Sequence, residues 1–390
     1  MLPLRYPLGN LLARRLRTGL TVGVIALVVL ATTLFAGLVS SLERTLVSTG
    51  SERNLVVMRK GATNDGSSAV TLDAYQSVRY FEGIERDAAD NPLVSPELVV
   101  QPFFKTKSGR ENVLVRGVEP IALAVHDEVK IVEGRMFTPS TDEVIVGRNV
   151  EGRYLGAQLG SQLEFGRNTW HVVGIFESGG TSTESEVWCD VRLLGNDAKR
   201  PVPYSGLRVR VAPGADMDAL ARRIGDDPRY ALEATPEREY YAKQAESSNV
   251  LYYLVVALAV LAGTGAAFGA TNTLYAAVQA RTAEIGTLRA LGFSRATILG
   301  SFLIESLAVA LLGFALGGAL AWGLGRVLSF LLGGVAFASP TFTTNVIQLR
   351  VGLGDLTMAL LLALFIGLVG GIFPALRASR LRPVEALRKA

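Results

Sequence analysis

Apolar positions along the chain gather into four long runs. Gly19 to Leu42 holds 24 residues without a charge, and Ser247 to Ala280 holds 34. Ala296 to Gly325 carries one charge, Glu305, and Val351 to Phe373 carries Asp355 near its start. A helix needs roughly 20 apolar residues to cross a bilayer core of about 30 Å. The pattern therefore predicts four spanning helices, over 19–42, 250–280, 296–325 and 351–374. Gly263, Gly265 and Gly269 give the second a small-residue stripe suited to close helix contact.

The stretch 43–249 has a different rhythm. Asn54–Arg59, Leu98–Phe104, Val113–Gly117, Glu143–Val146, Gln162–Phe165 and His171–Phe176 read as strands of a small mixed sheet. Thr71–Ala89 and Asp216–Gly225 read as helices, the second with Leu220 and Ile224 on one face. Gly61–Ser68 reads as a loop, and Gly179–Glu186 as a polar hairpin or flexible loop.

Charge follows the same division. Residues 42–250 carry 25 Lys+Arg against 31 Asp+Glu, and the rest of the chain 14 against 4. The basic excess hugs the ends of the apolar runs, so the sequence pI of 9.2 does not mark a nucleic-acid binder. Cys189 is the only cysteine, which excludes an intrachain disulfide and a cysteine-rich metal site. His126 and His171 are far apart in sequence and stand in no nucleophile motif.

The polar connectors fix the expected topology. In segment 1–18, Leu8, Leu11 and Leu12 share a helical face, and Arg14, Arg15 and Arg17 follow. This suits an amphipathic helix on an anionic inner leaflet, or equally a plain basic flank. A secretory signal would have a shorter apolar core, of about 7–15 residues. Arg281–Arg295 is a short polar piece in which Ile285, Leu288 and Leu291 recur at helical spacing, with Arg281, Glu284 and Arg289 on other faces. Gly292 is expected to end it in a left-handed conformation, and Ser294 to cap the next helix. Glu305 lies two to three turns into the third span. An acid at that depth is a functional suspect, but pairing with a nearby arginine is the favoured expectation. Segment 326–350 is expected to be an outer loop. The tail 375–390 carries Arg377, Arg380, Arg382, Arg388 and Lys389. Four spans place both basic termini and the 281–295 connector on the cytoplasmic side, with acidic 43–249 outside.

The connector, RTAEIGTLRALGFS, closely resembles the corresponding stretch of the FtsX/MacB/LolC-type ABC permeases, through Arg281, Glu284, Ile285, Gly286, Arg289, Ala290, Leu291, Gly292 and Ser294. The tail is similar at Pro374, Ala375, Ala378, Pro383 and Leu387, and EGRMFTPSTDEVIVG with HVVGIF is similar to the MacB-type periplasmic core. The resemblance implies an α-helical membrane protein with four transmembrane helices and a large α+β extracytoplasmic domain between helices 1 and 2. It implies a multi-pass protein of a bacterial inner membrane, working as a permease dimer of two copies or with a related permease. Membrane lipids and a cytoplasmic ABC ATPase would be partners, nucleic acid would not, and a periplasmic adaptor and outer-membrane channel are compatible with it. The connector would be the coupling helix, with Ile285, Leu288 and Leu291 as its apolar docking face. Glu284 and Arg289 would set its register, alongside Arg281, Gly286 and Gly292. The alternative is that this piece only packs on its own helices.

No G-x-x-x-x-G-K-[ST] motif occurs, so the ATPase is expected on a separate chain that binds ATP and Mg. This chain is expected to bind no cofactor or metal and to carry no catalytic residue. Three functions fit this architecture to different degrees: a permease that drives export or extraction by mechanical movement of its outer domain, a signalling permease that regulates an extracytoplasmic enzyme, and a membrane-bound enzyme. The histidines and the lone cysteine argue against the last.

Overall fold

The computed structural model describes residues 15–106, 109–200, 202–246, 249–332, 335–339 and 342–382. Most of the basic N-terminal segment lies outside the described residues, as do Pro383, Leu387, Arg388 and Lys389 of the tail. The chain forms two compact units. The first comprises the residues up to 41, 249–331, and those from 349 on. The second comprises 42–248 and 332–348.

The chain enters through α1 (Arg15–Val47), a 33-residue helix whose last turn belongs to the second unit. That unit is built on β1 (Asn54–Arg59), α2 (Leu72–Val78), β2 (Val94–Val100), β3 (Phe103–Lys105), β4 (Arg110–Asn112) and β5 (Leu114–Val118). It continues through α3 (Ala122–Val125), β6 (Lys130–Gly134), β7 (Glu143–Gly147), β8 (Gln162–Phe165), β9 (Asn168–Glu177), β10 (Glu186–Asp190) and α4 (Val191–Asp197). β11 (Gly206–Arg210), α5 (Met217–Gly225), β12 (Leu232–Pro236) and α6 (Glu237–Glu246) complete the stretch. The strands order as β12-β1-β11-β2-β5-β10-β7-β9-β6, with β8 on β9. Neighbours are antiparallel except β5–β10 and β7–β9. Side chains alternate between faces with period two. Leu55, Val57, Leu98, Val115, Cys189 and Leu207 all face one core and are fully buried. Phe165 stacks on buried Trp170 at 5.0 Å within it.

Three expectations for this unit are corrected. The helix expected over Thr71–Ala89 is α2 alone. Thr71 caps it by accepting from Ala74 N, it ends at Arg79, and Gly83 (φ +98°) turns the chain away. The single strand expected over Leu98–Phe104 is two, because Pro102 offers no N–H to continue the ladder; β3 instead pairs with β4. The segment Gly179–Glu186 is not a solvent-facing loop. It contains a 3-10 turn, Ser182–Ser185, and all four of those residues are buried.

The first unit holds α1, α7 (Asn249–Ala280), α8 (Thr282–Ala290), α9 (Arg295–Leu332) and, after the hairpin of β13 (Val335–Ser339) and β14 (Phe342–Ile347), α10 (Leu353–Ser379). Four of its helices are long and apolar enough to cross a membrane. Helices satisfy their own backbone groups, which is what an apolar run in lipid requires. The expected outer loop 326–350 is corrected: α9 continues to Leu332, and the hairpin belongs to the second unit. α10 likewise runs through Pro374 to Ser379. Close approach of α7 to α10 depends less on the expected glycine stripe than on alanines. Ala266, Ala267 and Ala270 are buried, and a Cβ at Gly370 would lie 2.9 Å from that of Ala270. Gly265 and Gly269 meet nothing within 4 Å, whereas Gly263 faces Leu362.

Candidate functional site

The polar connector between α7 and α9 becomes a helix with firm ends. Arg281 breaks the α7 helix (φ −119°, ψ 18°) and α8 follows. At its far end Gly292 is left-handed (φ +92°), Phe293 N donates to Leu288 O, and Gly292 N donates to Arg289 O. These two bonds form a Schellman closure, and Phe293 and Leu288 pack on one apolar cluster as the motif favours. Ser294 Oγ then accepts from Thr297 N at 3.2 Å and caps α9.

Beneath α8 lies a buried ion pair. Arg281 Nη1 donates to Glu305 Oε2 at 3.1 Å, and Nε donates to Glu284 Oε2 at 3.3 Å. The guanidinium also stands 5.6 Å from the ring centre of Phe302. Arg281 and Glu305 are both buried, so each satisfies a charge that neither could carry alone at that depth. The pair ties the start of α8 to α9.

The faces of α8 divide the residues expected on its docking face. Ile285 is 2% exposed and packs with Val278, Ile298, Phe302 and Ala375. Gly286 is buried, and Leu288 leans on the same cluster. An apolar residue at helical spacing goes to whichever neighbour removes it from water, and here that neighbour is the chain's own bundle. Arg289 does not face outward as a free charge; its Nη1 donates to Phe293 O at 2.9 Å and helps close the turn. The outward face carries Glu284, Thr287, Ala290 and Leu291, the last 72% exposed. Sequence spacing placed Leu291 and Glu284 on α8 but gave no means of telling the inward stripe from the outward one. Tyr275 and Arg377 stack at 5.7 Å near the ends of α7 and α10; the sequence marks Arg377 only as one of the basic charges of the tail, and Tyr275 not at all.

A second constellation, absent from the sequence reading, crosses the second unit on the sheet face opposite its apolar core. Arg208, Glu97, Arg116 and Glu186 sit on β11, β2, β5 and β10 and are all buried. Arg116 donates to Glu97 at 2.7 Å and grips both oxygens of Glu186 at 2.6 and 2.7 Å. Arg208 donates to both oxygens of Asp65 at 3.0 and 3.2 Å and to Glu237, the first residue of α6, at 3.2 Å. His126 Nε2 lies 2.7 Å from Glu97 Oε1. Burial alone would raise the Glu97 carboxyl, but Arg116, with His126 and Arg208, holds it well below the usual carboxylate range. Burial would likewise lower His126, yet the Glu97 charge and hydrogen bonds to Glu128 and Glu97 push it up to about 10. A cavity of about 70 Å³ borders this row, lined by Asp65, Arg116, Glu186, Tyr240, Tyr241 and Gln244 among others. Among the described residues, no group of three His, Cys, Asp or Glu is placed to hold a metal ion.

Residues 18–227 match the MacB-like periplasmic core domain, and residues 256–383 match the FtsX-like permease C-terminal family. The macrolide export ATP-binding/permease protein MacB of Bdellovibrio bacteriovorus is 25% identical, over 97% of this chain and 60% of its own length. The MacB of Nitrobacter winogradskyi is 31% identical over 66% of this chain and 41% of its own. The pyoverdine export ATP-binding/permease protein PvdT of Pseudomonas putida is 28% identical over 66% and 40%. The chain thus spans about half the length of the curated relatives it matches. Among solved structures, the periplasmic region of MacB from Actinobacillus actinomycetemcomitans aligns with TM-score 0.39 and 10% identity, over 51% of this chain and 95% of that one. The extracellular domain of the ABC-type transporter YknZ from Gram-positive bacteria aligns with TM-score 0.37 and 14% identity, over 47% and 99%.

Proposed function

The chain belongs to the FtsX/MacB-type ABC transporter permeases, and from that membership we propose that it is a mechanically driven permease subunit served by a separate cytoplasmic ATPase. Its four apolar helices and its family make it a multi-pass membrane protein. In the proposed reading α8 and both termini face the cytoplasm, and the second unit stands outside. The distribution of Lys and Arg supports this orientation. The ATPase docks on the outward face of α8 through Glu284, Thr287 and Leu291. ATP and Mg are bound by that partner. A second copy or a related permease completes the dimer, and ATP-driven closure at the cytoplasmic ends moves the outer domain to export or extract a substrate.

The observation that carries this reading is the division of α8 into two faces. Its inner face is locked by Ile285, Leu288 and the Arg281–Glu305 pair, while its outer face is left open. A helix held this way moves with α9 when pushed from outside.

The test is co-purification of the full chain with its ATPase. Glu284→Lys with Leu291→Asp should lose the ATPase from a still-folded permease, whereas wild type retains it. Retention by the variant would place docking elsewhere. The mechanical step is tested separately by a crosslink between the cytoplasmic ends of two permeases. It should stop export with the ATPase still docked, and surviving export would refute the mechanical account.

A further inference from the structure

Three segments of the second unit that lead directly into membrane-length helices meet in one apolar cluster. Leu42 and Leu46 of α1, Ala245 of α6 and Ile347 of β14 form a single buried apolar cluster. α1 is itself a span, α6 precedes α7, and β14 precedes α10. The turn that joins β9 to β10 is hydrogen-bonded to two of these three. Thr49, just beyond α1, donates its hydroxyl to Thr45 O at 2.8 Å and accepts from Ser182 N at 3.0 Å. Its Oγ1 also lies 2.8 Å from Ser182 Oγ. Val346 N of β14 donates to Ser185 Oγ at 3.1 Å.

The turn is also braced by bonds of its own. The buried Glu184 carboxylate accepts from both Ser178 N and Gly180 N at 2.8 Å, and Thr181 Oγ1 donates to Ser178 Oγ at 2.8 Å. None of these internal bonds needs Thr49 or Val346. The hydroxyls of Ser182 and Ser185 are spent on segments 133 and 161 residues away in sequence. Immediately after Ser185 comes Glu186, the residue that grips Arg116 in the charged row.

We propose that the Ser178–Ser185 turn is the positioning element through which the segments leading to the membrane helices set the placement of β10. This rests on the mechanical reading above. Thr49, Ser182 and Ser185 are its positioning residues, and their hydroxyls are required for coupling but not for ATPase docking.

Hydrogen exchange on the full permease–ATPase complex, with and without a non-hydrolysable ATP analogue, tests it. In wild type the nucleotide should change exchange at both α8 and Glu186–Asp190. Thr49→Val with Ser185→Ala should keep the change at α8 and lose it at Glu186–Asp190. Thr49→Ser, which keeps the hydroxyl, should retain both. Should the double variant fail to fold, Thr49→Val alone makes the same comparison. An undiminished response at Glu186–Asp190 in the variant overturns the proposal and leaves docking standing, as does a wild type that responds at α8 alone. A wild type silent at α8 sinks the docking reading and this proposal together.

Discussion

The connector Arg281–Ser294 and the turn Ser178–Ser185 look alike as sequence: short, polar and glycine-bearing. The structure treats them oppositely. The connector keeps Glu284, Thr287 and Leu291 in the open, while the turn buries Ser182, Thr183, Glu184 and Ser185. Polarity therefore does not decide exposure; the supply of partners does. Buried polar groups persist where each finds a hydrogen bond, and the turn has Thr49, Val346 and its own backbone to supply them. On the outward face of α8, Glu284 accepts from Arg281 and Thr287 donates to Ala283 O, partners close in sequence, and both side chains stay in solvent.

That contrast can be broken at graded cost. The largest effect is expected where charges are buried next to the turn. Arg116→Met strips Glu186 of two bonds and Glu97 of one, and should destabilise the second unit by about 3–5 kcal/mol. Urea unfolding followed by tryptophan fluorescence, to which the buried Trp170 and Trp188 of the second unit contribute, measures it, and an unchanged midpoint would show that the row does not act as one cluster. Next comes Gly147→Ala. A Cβ there would lie 2.1 Å from Glu184 O, so the turn must shift, at a cost of about 1–3 kcal/mol by the same assay.

A smaller effect is tied to pH. His126 is raised from 6.5 to about 10, so the folded chain holds its proton more tightly than the unfolded one. Its contribution is complete below about pH 6.5 and is lost as pH rises through about 10. His126→Gln should therefore be less stable than wild type at pH 6, and the gap should close at high pH; a gap constant with pH refutes the assignment. The smallest stability change is expected on the open face. Leu291→Asp should alter the thermal midpoint little, within about 0.5 kcal/mol, yet weaken retention of the ATPase in a pull-down.

The same contrast explains what the sequence could and could not disclose. The spans were legible because an uncharged run longer than a bilayer has few other fates. The Gly292–Ser294 junction was legible because left-handed backbone and helix capping are local matters decided by the residue itself. The inward turn of Ile285 was not, since the residues that bury it, such as Ile298 and Ala375, come from other helices. Nor was the charged row. Arg208 and Arg210 alternate along GLRVR without any local mark of burial, yet Arg208 is wholly buried because Asp65 and Glu237 arrive from distant segments. The hairpin β13–β14 escaped notice because its apolar residues continue the composition of α9.

The chain's single cysteine lies on β10, sealed among the core side chains. Burial foremost, with the charges of Asp190 and Asp197, raises its thiol well above the ordinary value, and the thiolate is the reactive form. A fluorophore or spin label offered to the folded protein will pass Cys189 by. Thiols introduced on the exposed face of α8 can therefore report on movement without background, in a chain whose native cysteine never has to be replaced.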